Sequence, residues 1–138
     1  MNRIIITVLF FFTVNSLFSQ NNENKYDEEL KDTIYDITKV TVQAEYKGGN
    51  SKMMKFLLNN IRYPHDCAAG NIYGKVYVEF VIDKTGKVTR VKLFQGVHPS
   101  LDAEALRVVR KFPKWRPANQ NGKKVIQRFV LPINFRIQ

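Results

Sequence analysis

The sequence predicts an α+β domain of three antiparallel strands and two amphipathic helices, with a short N-terminal stretch that would add a fourth strand. Three observations predict it. Apolar residues occupy every second position from Val125 to Ile137, with Gln127 the one polar interruption, and one face of Gly74 to Asp83 through Val76, Val78, Phe80 and Ile82, whose mixed second face suggests partial cover; this is the period of strands. In Met53 to Ile61 and in Leu101 to Phe112 the apolar residues recur at three- and four-residue spacing, the period of a helix with one apolar face. Gly and Pro punctuate the chain between these runs. With 138 residues the chain suffices for one small domain and one core.

In chain order, Arg3 precedes an apolar run from Ile4 to Val14, and small Ser19 suits the last position before a cleavage. Residues 1–19 therefore read as an export signal. The run is shorter than the ~20 residues of a spanning helix, which favours a cleaved signal over the alternative, an uncleaved short anchor. Residues 20–37 are polar and acidic without period and read as a flexible linker. The domain is expected over 38–138. Val40, Val42, Ala44 and Tyr46 alternate with polar residues as a short strand, which Gly48-Gly49 ends as a turn. That turn lacks the lysine and hydroxyl of a phosphate loop.

Asn50 or Ser51 is expected to cap the first helix, which Pro64 stops, with Met53 and Met54 read as core filler. Pro64 opens a short helix, His65 to Ala69, closed by Gly70 or Asn71. Gly74 to Asp83 and Lys87 to Gln95 form a hairpin around Asp83-Lys84-Thr85-Gly86, with Val91 and Leu93 turned to the core. The second long helix follows Ser100, read as its cap. Trp115 is expected to fold over the core edge, and Asn119 to Lys124 to form a loop. The last strand contains Pro132, which a sheet tolerates at an edge, a strand start or a bulge. It reads as an edge strand, either blunted against aggregation by Pro132, Arg128 and Arg136 or offered to a partner.

The net charge is +10 and uneven. Acidic residues crowd into Glu23 to Asp36, and none follows Glu104. Such a surplus favours an anionic partner. Export makes nucleic acid a poor candidate, and the tail carries no row of exposed rings for stacking bases. Cys67 is the sole cysteine, so no internal disulfide forms. His65 and His98 have no cysteine or histidine at metal-ligand spacing in the sequence, and no nucleophile turn or carboxylate pair suggests catalysis. Neither cofactor, metal, small-molecule substrate nor enzyme activity is expected.

Arg62-Tyr63-Pro64, Gly74 to Phe80, Gly86-Lys87-Val88, Leu101 to Leu106, Trp115-Arg116-Pro117, Gly122 and Leu131 to Phe135 fall in an order and spacing that resembles TonB C-terminal domains, in the version common in Bacteroidetes-type proteins. The resemblance runs from about Ala44 to Arg136. It implies two helices packed on one face of a three-stranded antiparallel sheet, in agreement with the periodicities. It further implies a partner, a TonB-dependent outer-membrane transporter, whose extended segment pairs with the last strand. By that resemblance Val125, Ile126, Gln127, Arg128, Phe129 and Val130 bind the partner, and Arg62, Tyr63 and Pro64 lie near the transporter plug. A homodimer through the same edge is a further expectation. Lys47 replaces the family's proline before the double glycine, and Asn71 stands where glycine is frequent.

Family transducers carry a histidine in a spanning helix and a proline-rich spacer, whereas no histidine precedes His65 and no proline precedes Pro64. The expectation is a periplasmic binding module that does not drive transport by itself. An anchored energy transducer and an exported basic domain on anionic lipid or polysaccharide are the alternatives.

Overall fold

The computed structural model describes residues 34–35, as backbone, and 40–137. The expected export signal and all of the linker up to residue 33 lie outside the described residues. The elements are β1 (Ile34–Tyr35), α1 (Gly49–Asn60), α2 (His65–Ala69), β2 (Gly74–Ile82), β3 (Val88–Gln95), α3 (Pro99–Arg110), β4 (Ala118–Gln120) and β5 (Lys123–Phe135). The sheet order is β1-β5-β2-β3, with β4 paired to β5 beside that path. The three long strands β2, β3 and β5 are antiparallel, as expected. Two short strands are additional. One of them, β1, falls where the sequence read linker, and it pairs parallel to β5.

Alternation builds the core. Val76, Val78, Phe80 and Ile82 of β2 are fully buried, and Ile133 and Phe135 of β5 join them. Leu101, Ala105, Val108 and Val109 of α3 and Met53 and Leu57 of α1 belong to the same cluster, so both long helices bury their apolar stripe against the sheet. At the end of this core Trp115 sits edge-on to Tyr46, Phe80 and Phe112, with ring centroids 5.6–5.7 Å apart. Its backbone N–H donates to the Gly86 carbonyl at 2.7 Å. Gly86 is required there, because its φ is 89° and an added Cβ would come within 2.0 Å of the Trp115 carbonyl oxygen.

Several local expectations differ from the structure for physical reasons. Val40 to Tyr46 forms only two isolated bridges, Val42 to Asn119 and Glu45 to Arg116, so Ala44 and Tyr46 are buried while Val42 stays exposed. Gly48, in left-handed geometry, precedes α1 in place of an Asn50 or Ser51 cap. The cap of α3 is His98, whose ring accepts the Ser100 N–H, with Pro99 at the first helical position. Leu93, expected to face the core, is 40% exposed although it pairs with buried Val78, in the strand whose pairing with β2 shifts register twice. Asn119 to Lys124 is no open loop. It is a hairpin in which Asn121 (φ 51°) and Gly122 (φ 83°) form a two-residue turn between β4 and β5.

Candidate partner-docking edge

An open sheet offers an incoming strand its edges, and the regularity of each edge decides its use. One edge is β3. Its pairing with β2 shifts register twice, between Tyr77 and Val78 and between Glu79 and Val81, and Arg90 has a left-handed φ of 50°. Bulges of this kind interrupt the row of donors and acceptors and twist the strand away. The other edge is the side of β5 turned away from β2. There β5 keeps one register from Gln127 to Phe135.

Pro132 orients that edge. It stands opposite Tyr77, and a proline inside a ladder turns its nitrogen away from the paired strand. Backbone groups alternate sides residue by residue, so Ile126, Arg128 and Val130 direct their N–H and C=O groups to the same outer side as Pro132. The proline removes one donor and leaves that of Val130 in place. Beyond Gln127, no strand among the described residues pairs with this side of β5.

Along Phe129, Val130 and Leu131 the edge borders a groove of about 620 Å³. Gln43 to Tyr46 and the α1 residues Asn50, Met53 and Met54 also line it, together with Phe80 and Trp115. Val130 and Met54 are the exposed apolar side chains at the groove, at 40% and 52%. A strand laid on the edge would therefore find backbone partners along β5 and apolar surface for alternate side chains.

The sequence-read site residues are not equivalent in this geometry. Val125 pairs with Ala118 of β4, and Ile126 and Gln127 pair with Ile34 and Tyr35 of β1. Gln127, the polar interruption in the apolar face, is fully buried, and its side-chain oxygen accepts the Ala44 N–H at 2.7 Å. It fastens the 40–46 segment to β5. Arg128 reaches Glu79 at 3.4 Å, and Lys92 reaches the same carboxylate at 2.9 Å, so a partner would share Arg128 with Glu79. Phe129 stacks on Phe80 with centroids 5.8 Å apart.

Arg62, Tyr63 and Pro64 lie at the other end of β5. The Tyr63 ring packs edge-on against Phe135 at 5.9 Å, and its hydroxyl donates to the Ile72 carbonyl. Phe135 is five residues past Val130, about 17 Å along a strand. The structure thus does not bring the two candidate segments together. The groove wall from Gln43 to Tyr46 was missed in the sequence, and of the two methionines read as core filler only Met53 is buried, whereas Met54 is 52% exposed on the groove wall, the adaptable-surface role a methionine can also fill.

Asp66, Cys67 and His98 are the one group among the described residues with metal-ligand donor types, and their ligand atoms lie within 4.8 Å of one another. The sequence spacing had not suggested that meeting of Cys67 with His98. The His98 Nδ1 lies 3.3 Å from the Cys67 sulfur and accepts the Ser100 N–H, and Asp66 accepts from the Ser100 hydroxyl. These contacts join α2 to the start of α3. Burial, with the nearby Asp66 charge, pushes the Cys67 thiol up, away from the thiolate that metals bind.

The Gram-negative bacterial TonB protein C-terminal family matches residues 59–137, more than half of the chain. The chain belongs to this family. Two solution structures of the Helicobacter pylori TonB C-terminal domain resemble it, each at 24% identity. For the one spanning residues 179–285, the match covers 64% of this chain and 79% of that one, with a TM-score of 0.50. For the one spanning 194–285 the figures are 62%, 90% and 0.47. At that identity the likeness is one of fold. No curated protein matches the chain. No helix among the described residues is long and apolar enough to cross a membrane.

In this TonB C-terminal domain the Arg62-Tyr63-Pro64 segment is held from α3. Glu104 accepts the Arg62 backbone N–H at 2.7 Å and the Arg107 Nε–H at 2.7 Å, while Arg107 also donates to the Asn60 carbonyl at 2.7 Å. Burial alone would raise the Glu104 pKa, but the Arg107 guanidinium and the Arg62 N–H outweigh it and hold the carboxyl below its ordinary value. A depressed folded pKa gives stability that is present above the unfolded pKa, about 4.3 for Glu. That stability is lost as pH falls through the folded value. Glu104→Gln should therefore flatten part of the fall in stability below about pH 4.5, measured by urea unfolding between pH 3 and 7. An unchanged pH slope would contradict this role of Glu104.

Proposed function

We propose that this domain is a strand receptor exported to the periplasm, which takes up an extended segment of an outer-membrane transporter on the outer edge of β5 and so carries out the binding step of TonB-type systems. The observation that carries the reading is the contrast between the two edges: β3 is bulged twice, while β5 is regular and borders an apolar groove at Phe129 to Leu131. Backbone pairing would supply most of the affinity, and the groove the preference for particular side chains. The basic surplus favours a segment with acidic flanks.

The test is a titration with a synthetic peptide copying the extended, periplasm-facing end of an outer-membrane transporter from the same bacterium, followed by amide chemical shifts. Changes are expected at Phe129 to Leu131 and at Gln43 to Tyr46. Changes confined to β3, or binding without peptide preference that vanishes at moderate salt, would overturn the reading, the second in favour of a surface for anionic lipid or polysaccharide.

A further inference from the structure

We infer that the chain's own segment Ile34–Tyr35 competes with the partner for the docking edge, a built-in strand that an incoming segment must displace. The inference rests on the docking reading above and concerns the regulation of that same edge.

Gln127 has β2 on one side, where it pairs with Ile82, so β1 can reach it only from the other. That other side is the one on which Val130 offers its N–H. In the observed register Ile34 stands at Ile126 and Tyr35 at Gln127, within the stretch Val125 to Val130 that the family resemblance gives to a partner. A partner strand that used the whole stretch would occupy the same backbone groups. Both cannot be bound at once.

The pairing is built to yield. Among the described residues it spans two, and so short a ladder opens more readily than the long strands around it. A partner that continues past Arg128 to Val130 gains ladder bonds and the groove, neither of which the two-residue strand takes up. Charge favours the self-pairing meanwhile. Asp32 and Asp36 flank the segment in the sequence, whereas Lys123, Lys124 and Arg128 flank its position on β5. The chain thereby shows in outline what suits the edge: a strand running parallel to β5, with acidic residues about an apolar or aromatic pair.

If the edge is self-paired about 80–90% of the time, the apparent affinity for a partner falls about 5–10-fold. The experiment compares the full chain with a variant carrying Ile34→Pro and Tyr35→Pro, in two measurements. First, amide hydrogen exchange without any partner should be about 5–10-fold faster in the variant at Ile126 and Arg128, with Phe80 and Val109 unchanged. Second, the synthetic transporter peptide should bind the variant about 5–10 times more tightly. Equal exchange at Ile126 and Arg128 would overturn the self-pairing. Faster exchange with equal peptide affinity would overturn the competition while leaving the docking reading intact. A peptide that binds neither chain would remove the docking reading, and the competition with it.

Discussion

Val130→Pro is expected to weaken binding of the transporter peptide by at least about tenfold, corresponding to ~1.4 kcal/mol, while the domain stays folded. Pro132 opposite Tyr77 places its own nitrogen on the outer side, and residue 130, two positions earlier, shares that side. A proline at 130 therefore removes a donor that β2 does not use and puts a ring where the partner's backbone would lie. Phe129→Pro should do the opposite. Its N–H faces Phe80 of β2, so the substitution removes a central ladder bond and leaves a buried carbonyl unpaired, at a cost of at least about 1–3 kcal/mol. Melting curves and peptide titration of the two variants decide the matter. If Val130→Pro unfolded the domain, or bound the peptide as well as the parent, the outer edge of β5 would not be the docking edge.

Much of this geometry was legible because period and burial coincide. In β5, Val125, Phe129, Leu131, Ile133 and Phe135 face inward as the odd positions required, and Gln127 obeyed the same parity although it is polar, whereas Ile137, read on the same face, lies past the end of the strand and is 42% exposed. Its reason for being there was not legible, since the Ala44 N–H it satisfies lies 83 residues away. Pro132 announced an edge without saying which side was open. That followed only once Tyr77 was seen opposite it. The hairpin of β4 and β5 could have been read from Asn121-Gly122, a strong signal for a two-residue turn, but the strand before it is only three residues long. β1 could not be read at all. Its two residues sit in an acidic stretch without period, and what makes them a strand is the edge they meet.

Trp115→Ala is expected to destabilise the domain by about 3–5 kcal/mol, the usual cost of deleting a large buried ring. That is a large share of the 5–15 kcal/mol by which such domains are stable. Trp115 is 5% exposed and touches rings from four parts of the chain: Tyr46 before α1, Phe80 of β2, Phe112 after α3 and Phe129 of β5. Neighbours held in place by the sheet and by α3 would collapse only partly, so a cavity would remain. Its indole N–H has no hydrogen-bond partner among the described residues. A buried donor left unpaired costs about 1–3 kcal/mol, so Trp115→Phe, which deletes that donor and keeps an aromatic ring, should lose less than half of what the alanine variant loses. Trp115 also lines the docking groove beside Phe129. The alanine variant should therefore bind the transporter peptide more weakly even at temperatures where it remains folded, whereas the phenylalanine variant should bind it nearly as well as the parent. Urea unfolding followed by circular dichroism, with peptide titration of each variant, measures both effects. A loss below about 1 kcal/mol for Trp115→Ala would mean that the ring cluster is not the keystone of this end of the core.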